Sequence, residues 1–398
     1  MSKQAHPFNP GEAPVQTGRR PSYDRDMKPA VKKIAKAGLR VFFGSVAAFN
    51  GKSRPRDPRR ILLVAGGYLG DSFWALQTVP LLKAAYPEAE IHVAGRPFLR
   101  VLANGIIPEQ RVHEAAIVSD RTREQCDLRK LKREARLLRE AVRPDLAFDL
   151  MCNRYSAWFC HHLKTCSVGM DIAEEASPLY SFCAKRALIP SVHLMCRPRS
   201  IVNQFLGLPD PPDVRLIPPV PAKSGGDILA ELGLDASERI VMLIPGAGWA
   251  AKRWSPENFR SLAGLLSERG FRIVLSGAPD EKDLCAGIAD GVEGAKILCG
   301  SLSDTISLLP HCSAAVGNDS GVAHIAASFG IRTVELYCAT NPDFSVTPGP
   351  QSFFIQASCP DSPRKDEQVC RGASGLTCDR PERMNCSVRR VLETIFLP

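Results

Sequence analysis

Four short runs in this chain carry the residue types that polar chemistry needs: 66–71, 245–252, 276–281 and 317–321. Gly66-Gly-Tyr-Leu-Gly-Asp71 ends on a carboxylate. That carboxylate can cap a following helix, or it can face a cleft and take a proton from a hydroxyl group. In Pro245-Gly-Ala-Gly-Trp-Ala-Ala-Lys252-Arg253-Trp254, small residues stand beside two cations. Backbone N–H groups approach a diphosphate where side chains are absent, and Lys252 supplies a point charge. The plainer alternative is that both cations are solvated and Trp254 closes a core. An ion pair at ~4 Å contributes about 4 kcal/mol at an effective dielectric of ~20, enough to steady a leaving diphosphate. Gly317-Asn-Asp319-Ser320-Gly321-Val-Ala-His324 places an acid, a hydroxyl and a glycine at a helix start. Helix capping accounts for Asp319 but not for His324.

These runs need elements to hold them at one place. Arg60-Ile-Leu-Leu-Val-Ala65 reads as a buried strand, followed by the first glycine turn, a helix over 73–85 and a strand over 90–94. A charged helix is expected over 123–143, then a strand over 146–150 leading into a loop with Asn153 and Arg154. Six prolines between residues 209 and 224 mark an interdomain linker. The α/β rhythm then repeats, with strands over 239–244, 271–275, 314–316 and 333–337. Ser255-Pro256-Glu257 starts one helix, and Gly330 ends another. Open parallel sheets bind ligands at the carboxyl ends of their strands, and all four polar runs fall there. The expectation is an α/β chain of two parallel-sheet domains facing a cleft.

Length and charge agree. The 398 residues suit two domains of ~150 residues with extensions. No apolar run approaches the roughly 18 residues of a membrane span, and the first 20 residues lack the apolar stretch of a signal peptide, so a cytoplasmic location is expected. Of the net charge of +9, residues 1–60 carry 14 Lys/Arg against 4 Asp/Glu, and the remainder carries 37 against 38. A neutral body argues against nucleic-acid binding. Residues 1–26 read as disordered. From Lys28, Val31, Ile34, Leu39, Phe42, Val46 and Phe49 recur among Lys32, Lys33, Lys36 and Arg40 as a basic amphipathic helix. Such a helix either lies on an anionic membrane, at ~1 kcal/mol per cation, or docks its apolar stripe on the body. Ten of the 14 cysteines lie scattered among apolar neighbours as expected free thiols. Cys359, Cys370, Cys378 and Cys386 cluster at the end without a C-x2-C pair, which leaves reduced thiols, a structural metal or a disulfide open.

Taken in order, ILLVAGGYLGD, LIPGAGWAAKRWSPENF, VLSGAPDEKDL, VGNDSGVAHIAASFG and TNPDFSVTPGP resemble family 9 glycosyltransferases, the ADP-heptose:lipopolysaccharide heptosyltransferases. The resemblance runs over roughly residues 60–350. It implies a GT-B fold: two Rossmann-like domains, the first holding the acceptor and the second the nucleotide-sugar. It also implies inverting transfer without a bound metal or other cofactor. Carried over by position, Asp71 becomes the general base, and Lys252 stabilises the donor diphosphate beside the phosphate-facing Gly248. Glu281 holds the donor ribose, a place Asp280 or Asp283 could also fill. Asp319 contacts the transferred sugar, and Ser320, Gly321 and His324 line the diphosphate side. Gly70, Asn153 and Arg154 fall at acceptor-facing positions. The chain departs from the family pattern at Ala65, where an Arg or Lys is usual, and in its basic leader.

The expected layout is a leader over 1–58, an acceptor domain over 59–215, a nucleotide-sugar domain over 222–355 and a Cys-containing extension over 356–398. The expected activity is heptose transfer from an ADP-sugar to a lipopolysaccharide core or related glycolipid, on the cytoplasmic side of an anionic inner membrane. A GT-B transferase with another nucleotide-sugar or a protein acceptor is the alternative enzyme. A catalytically silent, membrane-recruited scaffold is the alternative outside enzymes.

Overall fold

The structure is a computed structural model that describes residues 29–47, 53–115, 117, 127–172, 175–189, 193–210, 216–357, 373–374, 377–378 and 386–396. The leader over 1–28, Cys126, Cys359, Cys370 and the side chain of Cys378 lie outside that description.

The first domain is a six-stranded parallel sheet of β1 (Arg60–Val64), β2 (Glu90–Gly95), β3 (Val112–Glu114), β4 (Leu146–Asp149), β5 (Cys166–Met170) and β6 (Phe182–Ala184), in the order β3-β2-β1-β4-β5-β6. The second uses β7 (Ile240–Ile244), β8 (Arg272–Gly277), β9 (Lys296–Cys299), β10 (Cys312–Asn318), β11 (Arg332–Tyr337) and β12 (Ser352–Gln356), ordered β12-β11-β10-β7-β8-β9. Read from each domain's first strand the two orders are the same, the doubly wound Rossmann order. Ile61–Val64 of β1 and the whole of β7 are continuous apolar runs because helices cover both of their faces. A short antiparallel pair, β13 (Ala373–Ser374) and β14 (Thr377–Cys378), follows.

The helices are α1 (Pro29–Ala47), α2 (Leu69–Leu76), α3 (Val79–Ala85), α4 (Leu99–Leu102), α5 (Leu128–Val142), α6 (Arg154–His162), α7 (Cys196–Leu206), α8 (Gly225–Leu232), α9 (Pro256–Ser267), α10 (Lys282–Ala289), α11 (Leu302–Leu308), α12 (Gly321–Ser328) and α13 (Val388–Ile395). Two differ from the sequence-based expectation. The single helix over 73–85 is instead α2 and α3, because Pro80 has no N–H to continue the ladder. The expected loop at Asn153 and Arg154 is the start of α6, where Asn153 accepts hydrogen bonds from the Tyr155 and Ser156 amides.

The leader helix α1 docks on the first domain. Phe43 is buried against Ala157, Leu179 and Tyr180 and meets the Trp158 ring at 6.3 Å, with Leu39 one turn away. The docked face therefore runs through Leu39 and Phe43 (i, i+4), and Phe42, expected in the stripe, points outward at 54% exposure. At the other end of the chain, α13 packs Val391, Leu392 and Ile395 into the second domain's core. Cys386 is a buried free thiol there, and its carbonyl accepts from Trp254 Nε1 at 3.1 Å. The linker runs along the first domain. Gln77 accepts from the Ile217 amide, and Asn104 donates to the Val220 carbonyl.

The domains meet at the amino ends of α2 and α12. A Cβ on Gly321 would lie 2.7 Å from Leu69 Cβ and 2.8 Å from the Gly70 amide nitrogen, so only glycine permits this approach. A second tie comes from the segment before α7: the Leu194 amide donates to the Phe344 carbonyl, and His193 Nε2 donates to that of Val346, both at 2.7 Å. Trp74 fills the space between the rings of His193 and His324, at 5.9 and 5.0 Å.

Candidate active site

Between the two sheets' carboxyl ends lies a cavity of about 860 Å³. Its first-domain wall starts where β1 hands over to α2. Asp71 is the third residue of α2, and its Oδ2 accepts from the Tyr68 amide at 3.2 Å. A carboxylate suits this position because unpaired N–H groups crowd a helix's first turn. Farther along the wall, Asp149 accepts from the Met151 and Cys152 amides and from Tyr180 Oη. That tight turn, with Cys152 at φ 54°, presents Met151, Cys152 and Asn153 to the cavity.

The second-domain wall begins at the end of β7. Gly248 leaves open space where a Cβ would stand, facing the cavity. At Gly246 a Cβ would collide with the Glu281 carboxylate, so the loop and Glu281 pack directly. Glu281 also accepts from the Ala278 amide at 3.0 Å. Arg253 binds the Ala247 carbonyl through Nε and Nη2, at 3.1 and 2.9 Å, and reaches Glu281 at 3.5 Å.

Behind the loop is a buried chain of charges. Lys252 Nζ meets Asp319 Oδ2 at 2.5 Å, and His324 Nε2 stands 3.3 Å from Asp319 Oδ1. His324 Nδ1 stands 3.1 Å from Glu335 Oε2. Thr340 and Ser345 donate to Asp319 at 2.6 and 3.4 Å, and Tyr337 donates to Glu335 at 2.7 Å. Both Asp319 oxygens are thus engaged by protein groups. Burial alone would push Asp319 up, but Lys252 and His324 hold it well below the carboxylate range. Burial alone would lower His324, yet Glu335 and Asp319 hold it at about 9, so the ring is an imidazolium at neutral pH.

A raised histidine contributes stability that is complete below its ordinary value near 6.5 and is lost as pH rises through about 9. The depressed Asp319 contributes above its ordinary 3.8 and loses that only in strong acid. The thermal midpoint is therefore expected to fall on the alkaline side near pH 9. Glu335→Gln is expected to cost about 3–5 kcal/mol and to start that fall at lower pH. An alkaline limb unchanged in Glu335→Gln would show that Glu335 does not hold the proton on His324.

Of the residues named from sequence, Gly70, Asp71, Asn153, Gly248, Lys252, Glu281, Asp319, Ser320, Gly321 and His324 all line this cavity. Asp280 lines it as well, and Asp283 does not. Arg154 is the correction. It lies outside the lining and reaches Glu175, 4% exposed, at 3.2 Å, because a buried carboxylate needs a cation. Sequence reasoning missed Glu335, although one acid inside the apolar run Thr333-Val-Glu-Leu-Tyr337 was a readable signal. It also missed Trp74 and Arg197, which line the first-domain wall and carry no local motif. Among the described residues, no group of three or more His, Cys, Asp or Glu could hold a metal ion. No helix among them is long and apolar enough to cross a membrane.

Known proteins resemble this chain in sequence and in fold. The profile of glycosyltransferase family 9 (heptosyltransferase) matches residues 132–371. Lipopolysaccharide heptosyltransferase 1 of Pseudomonas aeruginosa is 28% identical over 224 residues, 55% of this chain and 61% of that protein. Lipopolysaccharide heptosyltransferase 2 of Salmonella typhimurium is 25% identical over 311 residues, 72% of this chain and 84% of that protein. The structure of E. coli ADP-heptose lps heptosyltransferase II shares the fold, with a TM-score of 0.64 at 22% identity, over 84% of this chain and 97% of that one.

Proposed function

Because this chain belongs to glycosyltransferase family 9, we propose that it moves a heptose-type sugar from an ADP-sugar to a lipopolysaccharide core or related glycolipid, inverting the anomeric centre. The observation that carries this reading is the single cavity in which Asp71 of the first domain faces Lys252, His324 and the start of α12 in the second.

Asp71 takes the proton from the acceptor hydroxyl as its oxygen attacks the anomeric carbon. The bond from that carbon to the diphosphate oxygen breaks, and ADP leaves with the electron pair. Lys252 and the amides at the start of α12 meet the leaving charge, at about 3 kcal/mol per donor in comparable sites. One cation and those amide dipoles thus supply the charge stabilisation that transfer without a bound metal requires. Gly248 lets the diphosphate approach the loop backbone, and Glu281, fixed over Gly246, faces the ribose. Engagement of both Asp319 oxygens by protein groups supports inversion, because Asp319 is then not free to act as the nucleophile of a double displacement.

The names of the relatives support heptose as the sugar and lipopolysaccharide as the acceptor, and that of the E. coli neighbour supports an ADP-linked donor. Thermal stabilisation tests the donor: at 100 times its dissociation constant, ADP should stabilise the protein by about 2.7 kcal/mol, with UDP well behind. Equal stabilisation by UDP would remove the ADP assignment.

Cys152, Cys160, Cys166, Cys285, Cys312 and Cys386 are buried free thiols, which fits a reducing, cytoplasmic setting. Peripheral attachment to the inner membrane is supported by α1, which docks through Phe43 while exposing Val41 and Phe42 beside Lys36 and Arg40. The full chain is expected to bind anionic vesicles in a salt-sensitive way. Phe42→Glu should weaken that binding several-fold and leave ADP affinity intact, as measured by vesicle sedimentation. Undiminished sedimentation of the variant would leave α1 a purely docked helix.

A further inference from the structure

Two free thiols lie against Glu281, the carboxylate read above as facing the donor ribose. Cys285 is on α10 and fully buried, and Cys299 ends β9, half-buried. In the β8–β9 ladder Cys299 is the partner of Gly277, so the two residues point to one face of the sheet from strands about 4.8 Å apart. Cys285 Sγ covers that same face, because a Cβ on Gly277 would stand 3.2 Å from it. The Cys285 and Cys299 side chains are accordingly hydrogen-bond partners. Glu281, four residues before Cys285, rests on the same glycine, where a Cβ would lie 3.1 Å from its own Cβ. On its other side the Glu281 carboxylate fills the space that a Cβ on Gly246 would need. Gly277, Glu281 and Gly300, the residue after Cys299, all line the cavity.

The transfer reaction uses neither sulfur. Two thiols in contact are the reactants of another chemistry, oxidation to a disulfide, and in a reducing compartment such disulfides are usually transient and redox-sensing. The two sulfurs differ in access. Cys299 is within reach of a small oxidant, whereas burial, then Cys299 and Glu281, hold the Cys285 thiol well above its ordinary range and protonated. We propose that Cys299 and Cys285 are a peroxide-oxidisable pair whose disulfide weakens donor binding at the second-domain wall. The Cys299 thiolate attacks hydrogen peroxide: the O–O bond breaks, an S–O bond forms, and one water leaves with the thiol's proton. The Cys285 sulfur then displaces that oxygen: an S–S bond forms, the S–O bond breaks, and a second water leaves with the Cys285 proton. Each sulfur gives up one electron, and together they reduce the peroxide to water. Joining the sulfurs draws the start of α10 towards the end of β9, and Glu281 and Gly300 move with the segments that carry them. This rests on the reading that the second-domain wall holds ADP, and adds that its affinity answers to peroxide.

The test uses the full chain, reduced or treated with hydrogen peroxide, read by peptide mass mapping and by ADP calorimetry. Treated wild type should yield a peptide linked through Cys285 and Cys299. It should also lose about tenfold or more in ADP affinity, within the usual range of coupling between two sites, and dithiothreitol should reverse both changes. Cys299→Ser should form no such link and should bind ADP like reduced wild type before and after peroxide. Cys285→Ser, which removes the resolving sulfur, should leave a sulfenic acid on Cys299 that dimedone traps. Treated wild type without the linked peptide, or linked protein that binds ADP as the reduced form does, would overturn the proposal. So would an equal loss of affinity in treated Cys299→Ser, which would trace the effect to other cysteines. Reduced wild type that binds no ADP would instead overturn the donor reading and the control of it, while the linked peptide would still report the pair.

Discussion

Asp71→Asn is expected to bind ADP as tightly as wild type and to turn over roughly 10³-fold more slowly, within the 10²–10⁴ range of a lost general base. The substitution keeps the side chain's shape. Its amide oxygen can still accept from the Tyr68 N–H, the bond that fixes Asp71 in the first turn of α2. The helix start and its approach to Gly321 should therefore survive, and what disappears is the ability to take a proton. Stopped-time transfer assays with ADP calorimetry check both halves. Turnover within tenfold of wild type would assign the proton to another group, and lost ADP affinity would mean that the variant disturbs the cleft rather than the chemistry.

Lys252→Met is expected to have the second large effect, and it reaches stability as well as rate. Lys252 and His324 together balance Asp319, which is 4% exposed. Removing one of two cations from a buried carboxylate costs about 3–5 kcal/mol, because the charge left behind has no water to turn to. Turnover should fall by about 10²–10³, the usual cost of one donor to a developing oxyanion. The double variant Lys252→Met/Asp319→Asn separates the two contributions. It should recover much of the lost stability in denaturant titrations while remaining as slow as Lys252→Met. Recovery of turnover in the double variant would mean that Lys252 acts only by neutralising Asp319.

The sheets and most of the site could be read from the chain because their signals are local. A run such as Ile61-Leu-Leu-Val64 declares a strand buried on both faces, and a glycine turn at its end declares where a ligand backbone can approach. Asp71, Lys252, Asp319 and His324 stand within such runs, and the cavity gathers all four. What stayed hidden depends on contacts between distant segments. Arg197 looks like any helix-start arginine until the ties of His193 and Leu194 bring it to the cleft. Asn153 and Arg154 showed no helical period before them, so α6 began unannounced. At α1, the choice between Phe42 and Phe43 rests on one helical step of 100°, which the receiving Trp158 ring decides.

The most direct measurement is a transfer reaction with a purified ADP-heptose of known anomeric configuration and a lipopolysaccharide core acceptor, followed by nuclear magnetic resonance of the new glycosidic linkage. The account predicts one heptose added per ADP released, with a linkage of configuration opposite to that of the donor. Retention of configuration, or transfer from a UDP-sugar with none from ADP-heptose, would contradict it.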